Sequence, residues 1–139
     1  MFLIDTNVAS ELTKRRPEPA VVSWIAGQRP EVLYLSAVTV AEIRYGVEAV
    51  TGGRRAALEA WLNELLSATG SRLLPVDTEV ASAWGRLRRR ADVARRSMPI
   101  MDAFLAATAD VHRLTLVTRN TKHFEVWGGP LFNPWTGYP

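Results

Sequence analysis

Apolar residues along this chain follow two alternating patterns. Short unbroken or nearly unbroken runs occur at Phe2-Leu3-Ile4, Val32-Leu33-Tyr34-Leu35, Leu73-Leu74 with Val76, Leu114 to Val117, and Leu131-Phe132. Their length and side-chain type predict strands, with Pro75 shortening the third and the last lying at an edge. Between them, apolar positions recur every three or four residues, which predicts helices over 7–14, 18–28, 39–50, 54–69, 78–91 and 100–113. Pro17 and Pro19, Gly52-Gly53, Gly70 and Pro99 punctuate these segments, and Asp77 or Thr78 can cap the fifth.

Strands alternating with helices imply a parallel sheet with helices on both faces. The expected fold is α/β: one α/β/α domain over residues 1–139 with a four- to five-stranded parallel sheet. No internal repeat or interdomain linker interrupts it.

Composition adds boundaries. Hydrophobic residues make up 47% and charged residues 22%, as in a globular protein. The absence of cysteine removes disulfides, thiolate metal sites and cysteine nucleophiles. Asp5 interrupts the first apolar run and no later run could span a bilayer, so a cytoplasmic protein with no membrane partner is expected. The net charge of +3 is uneven, because residues 71–139 hold ten basic and six acidic groups and all but one of the cations are arginine. Arginine's planar fork suits phosphate, so nucleic-acid binding is permitted.

Four oxygen-bearing residues carry the candidate chemistry. Asp5 ends the first strand, where open α/β sheets place their binding crevice, but it is also a good helix cap. Thr39-Val40-Ala41-Glu42 fits a capping box, yet Glu42 then stands at the same sheet edge. Asp102 begins a helix amid Ile100, Met101, Ala103, Phe104 and Leu105, an unusual setting for a surface acid. Asn120 closes the polar group after the fourth strand and offers a neutral oxygen or a turn. Oxygen donors without cysteine or a His-x-x-x-His pair suit a hard cation, Mg²⁺ or Mn²⁺. Such an ion would relieve the repulsion among the three acids.

In chain order, Leu3-Ile4-Asp5-Thr6-Asn7, Thr39 to Glu42, Met101-Asp102-Ala103, Leu116-Val117-Thr118-Arg119-Asn120 and Asn133-Pro134-Trp135 resemble the motifs of PIN domains. The whole chain is similar to VapC-type toxins, nearer the FitB-like branch. The resemblance implies a Mg²⁺- or Mn²⁺-dependent ribonuclease, the toxin of a type II toxin–antitoxin pair, cutting RNA to a 3′-hydroxyl and a 5′-phosphate. It implies that Asp5 and Asp102 are metal ligands, with Glu42 a third acid and Thr118 the hydroxyl of the last motif. Asn120 departs from the pattern, standing where a fourth acid is common, which weakens any second metal site. The implied partners are RNA, a VapB-type antitoxin through which DNA is contacted indirectly, and a second copy of the chain.

Given that resemblance, Arg86, Arg88, Arg89, Arg90, Arg95 and Arg96 read as a phosphate-binding ridge beside the acids, although charge runs are usually solvated helix faces. Thr6 and Asn7 can contact substrate or simply begin the first helix. The five tryptophans suit core or dimer packing. His112 and His123 have no partner at ligand spacing and receive no role. A haloacid-dehalogenase-like phosphatase would need an acid at position 7, which is Asn7, and a receiver domain lacks the acidic partner beside Asp5. A non-cleaving RNA- or protein-binding module is the alternative, and Asn120 is the residue that favours it.

Overall fold

The computed structural model describes residues 1–138. Strand β1 (Phe2–Ile4) leads into α1 (Thr6–Glu11) and α2 (Pro19–Ala26), and β2 (Leu33–Ser36) leads into α3 (Ala37–Glu48) and α4 (Gly52–Thr69). Strand β3 (Leu73–Leu74) precedes the antiparallel pair α5 (Thr78–Val93) and α6 (Ile100–His112), and β4 (Thr115–Val117) and β5 (Leu131–Phe132) complete the chain. A 3₁₀ turn, Thr121–Phe124, follows β4. All strands are parallel, in the order β3-β2-β1-β4-β5. The expected α/β parallel sheet is therefore present, with five strands.

Alternation along the strands divides the core between two faces. Leu3 and Leu116 point toward α5 and α6, packing with Leu87, Ala91, Ala103, Ala106 and Phe124. Ile4 and Val117 point the other way, toward Val8, Val21, Ile43, Val47 and Leu62 from the first four helices. Alanines at 103, 106, 107 and 109 are buried, which lets α6 approach both the sheet and α5 closely. Trp84 stacks on Phe104 with ring centroids 5.0 Å apart, fixing the α5–α6 pair. Helix α6 ends in a left-handed residue, Arg113, and Leu114 closes the turn by donating to the Ala109 carbonyl.

Several ends shift by one to three residues, the first helix spanning Thr6–Glu11 rather than 7–14, and one shift bears on the site. Helix α3 starts at Ala37, not Thr39, because the buried Ser36 at the end of β2 accepts from the Val38 amide at 3.1 Å. Thr39 is fully buried inside the first turn and caps nothing. The T-x-x-E spacing is therefore not a capping box here, and Glu42 lies in the second turn of α3. Asp77, the nearer of the two candidate caps, accepts from Val80 at 2.9 Å. Among the described residues, no helix is long and apolar enough to cross a membrane.

Candidate active site

Parallel pairing of β1 with β4 brings their carboxyl ends side by side. Asp5 continues that ladder, its amide donating to the Val117 carbonyl at 3.0 Å. Its carboxylate then turns into the site. Oδ1 accepts from the Thr6 amide at 2.6 Å, which caps α1, and Oδ2 accepts from the Thr118 hydroxyl at 2.7 Å and Asn7 Nδ2 at 3.1 Å. The helix-cap reading of Asp5 holds, and the residue also stands at the carboxyl end of β1. Its side chain caps a helix and lines the site.

Asp5 is only 5% exposed. Burial pushes its carboxyl up to about 6, against the opposing hydrogen bonds from Thr118 and Thr6 and with help from the charges of Asp102 and Glu42. The charges of Asp102 and Glu42 thus both reach Asp5. Glu42 accepts from the Thr6 hydroxyl at 2.8 Å through Oε1. Asp102, third residue of α6 and partly exposed, has Oδ2 2.9 Å from His123 Nδ1. Asn120 is exposed, and its amide donates to Thr118 Oγ1 at 3.1 Å.

Two residues contribute more than the sequence reading gave them, Asn7 beyond a helix start or substrate contact and His123 beyond no role. Asn7 is more than a helix start. Nδ2 donates to Asp5 and reaches Thr118 Oγ1 at 3.3 Å, and Oδ1 accepts from the Arg119 amide at 3.1 Å. His123, given no role for want of a partner at ligand spacing, faces Asp102 across 21 residues of sequence. Only the tertiary arrangement of α6 beside β4 supplies that partner. The tail also serves the site, since Asn133 Nδ2 donates to the Arg119 carbonyl at 3.4 Å and the Arg119 guanidinium lies 5.2 Å from the Trp135 ring centroid. Glu11, by contrast, is a structural acid. It accepts from the Glu18 amide and pairs with Lys14 at 2.6 Å, which holds its carboxyl below the usual range.

The arginine ridge is divided by the helix. Arg86 and Arg90, one turn apart, line a groove with Asp110 and Trp127, and Arg90 donates to the Trp127 carbonyl at 3.1 Å. Arg88 binds the Met98 carbonyl and lies over the Trp84 ring. Arg89 is exposed. Arg96 instead lines a cleft of about 280 Å³ with Ser97, Lys122, His123, Glu125 and Val126, so this cleft shares His123 with the acidic site.

Among the described residues, no three His, Asp or Glu side chains are gathered tightly enough to cage an ion. Carboxylate oxygens at an open edge of this kind suit a hard divalent cation, which can keep several waters and take one or two protein carboxylates directly. Asp5, Asp102 and Glu42 are the residues that could hold it.

The PIN domain family model matches residues 2–127. The chain belongs to the PIN-domain family. Among its relatives, "VapC ribonuclease Y4jK" of Sinorhizobium fredii is 39% identical over 97% of this chain and 98% of that protein. "Toxin FitB" of Neisseria gonorrhoeae is 37% identical over 97% and 99%. The crystal structure of FitAcB from Neisseria gonorrhoeae superposes with a TM-score of 0.92 at 38% identity, covering 97% of this chain and 99% of that one. A PIN domain with five parallel strands accounts for the ordered motifs, and Asp102 at the start of α6 lies near enough to Asp5 for its charge to help raise the Asp5 carboxyl.

Proposed function

We propose that this PIN domain is a divalent-metal-dependent endoribonuclease, working with Mg²⁺ or Mn²⁺, and the toxin of a type II toxin–antitoxin pair. The observation that carries the reading is the convergence of Asp5, Glu42 and Asp102 at one sheet edge, with Asp5 buried and held by Thr6, Asn7 and Thr118. The relatives' names, a VapC ribonuclease and a toxin, support RNA as substrate. The solved FitAB complex with a DNA fragment supports a VapB-type antitoxin partner that carries the DNA contact, and a homodimeric toxin is the form we expect.

When bound, the ion makes water more acidic and neutralises charge growing on the phosphate. The chain's own groups do the rest. Asp5 and Asp102 would hold the ion, and the Thr6, Asn7 and Thr118 donors fix the Asp5 carboxylate in advance. Glu42, anchored through Oε1, keeps Oε2 free to take the proton of the attacking water. Water attacks phosphorus, the P–O3′ bond breaks, and the departing 3′-oxygen takes a proton from bulk water, giving a 3′-hydroxyl and a 5′-phosphate, while Glu42 returns its proton to solvent. Arg96 and Lys122 line the neighbouring cleft and suit the flanking phosphates of a single strand. Asn120, an amide where an acid would add charge, limits the site to one firmly held ion.

The test is RNA cleavage by the purified chain with Mg²⁺, with Mn²⁺ and with a chelator, beside Asp5→Asn and Asp102→Asn. Cleavage should require an ion and vanish in both variants. Undiminished cleavage by the variants would refute the site, and RNA binding without cleavage by the wild-type chain would favour the non-cleaving module that Asn120 suggests.

A further inference from the structure

Asp102 differs from the other two acids in how it is held. Asp5 has donors on both oxygens, and Glu42 is tied to the neighbouring Thr6. The side-chain partner of Asp102 is His123, with Nδ1 2.9 Å from Oδ2. A carboxylate can only accept, so Nδ1 carries the hydrogen and donates. Oδ1 is left as the oxygen free for an ion.

His123 is itself delivered by a braced turn. Its amide donates to the Asn120 carbonyl at 3.0 Å, and the next residue, Phe124, is fully buried in the core against the sheet. The imidazole is half-exposed and is not needed to fill the interior. Without it, the Asp102 carboxylate, partly exposed in the first turn of α6, would be free to change rotamer, and holding it for an ion would cost side-chain entropy.

We propose that His123 is a positioning residue for the metal site, holding Asp102 by Oδ2 so that Oδ1 is preset as a ligand. This rests on the metal-site reading above. In this chain the role has added weight. The amide of Asn120 adds no charge to the site, so its affinity depends on how well the remaining acids are oriented. Hydrogen-bond partners that orient a ligating side chain are commonly worth 10- to 100-fold in metal affinity.

The experiment measures ion binding by the full chain without RNA, Mn²⁺ by the paramagnetic resonance signal of the free ion and Mg²⁺ by calorimetry. His123→Ala should weaken both ions by about tenfold or more, to a similar extent for each, with an unchanged melting profile. His123→Asn, whose Nδ2 stands near the position of Nδ1, should restore most of the affinity. Unchanged or tighter binding by His123→Ala would overturn the proposal, the tighter case meaning that the imidazole competes with the ion. A loss confined to Mn²⁺ would also overturn it, since imidazole would then be a ligand in its own right. Asp102→Asn separates the two readings. If it binds ions as well as wild type, the metal site itself is misplaced. If it loses them while His123→Ala does not, only the role of His123 fails.

Discussion

The Thr118 hydroxyl donates to Asp5 Oδ2 at 2.7 Å, joining residues 113 positions apart with both side chains buried. The Thr118 hydroxyl oxygen also accepts from the Asn120 backbone amide and is within reach of Asn7 Nδ2. Thr118 is thus the point at which the first and last motifs of the site meet.

Thr118→Val keeps the shape and removes the hydroxyl, leaving Asp5 short of a donor in a buried place. A loss of about 1–3 kcal/mol in denaturant unfolding is expected, together with weaker ion binding. Thr118→Ser should recover most of both. Equal stability of the valine variant would show that the bond contributes nothing.

Asp5 sets a pH dependence. Its carboxyl is raised from 3.8 to about 6 in the folded chain by burial. Between those values the folded state keeps a proton that the unfolded chain has released, so Asp5's contribution falls as pH rises through that window and is constant above it. The full difference is roughly 3 kcal/mol. In chelator, the stability of Asp5→Asn relative to wild type should therefore improve from pH 4 to pH 7 by up to that amount. A difference that stays flat with pH would contradict it.

Asn120→Asp adds a charge at the exposed end of the same polar group. Calorimetric titration should show tighter divalent-ion binding. No change would place the side chain away from the ion.

Arg96 and Lys122, as cations of the cleft beside Asp102, should govern the salt dependence of single-stranded RNA binding in chelator. Arg96→Gln and Lys122→Gln are each expected to reduce the slope of log affinity against log salt by about 0.7. Arg86→Gln, on the groove with Asp110, should leave it nearly unchanged. The reverse order would return the phosphate contacts to the middle of α5.

How far the sequence could be read depends on the range of the interaction involved. The strands were legible because β1, β2 and β4 are short apolar runs with punctuated ends, and Asp5 was legible because it follows one directly. The start of α3 was not, because Thr39 and Glu42 satisfy a local capping rule that Ser36, already buried at the strand end, satisfies first. The arginine run looked continuous in one dimension, yet a helix turns about 100° per residue, so Arg88 faces away from Arg86 and Arg90. His123 and Asn7 acquire their partners only when α6, β1 and β4 are assembled, and no local spacing encodes that.

Strand β1, the first of the five in sequence, sits in the middle of the sheet, between β2 and β4. On a ribosome it would wait for residues 115–118 before its second neighbour and the Thr118 hydroxyl could reach it, a delay of many seconds at ordinary rates of synthesis. Asp5 cannot be held in its final state until then, and Asp102 meets His123 later still. A chain that stops short of that point carries the first acids without the partners that orient them. The order of the strands thus leaves the acids of the proposed site without these partners until residues 115–123 have been made.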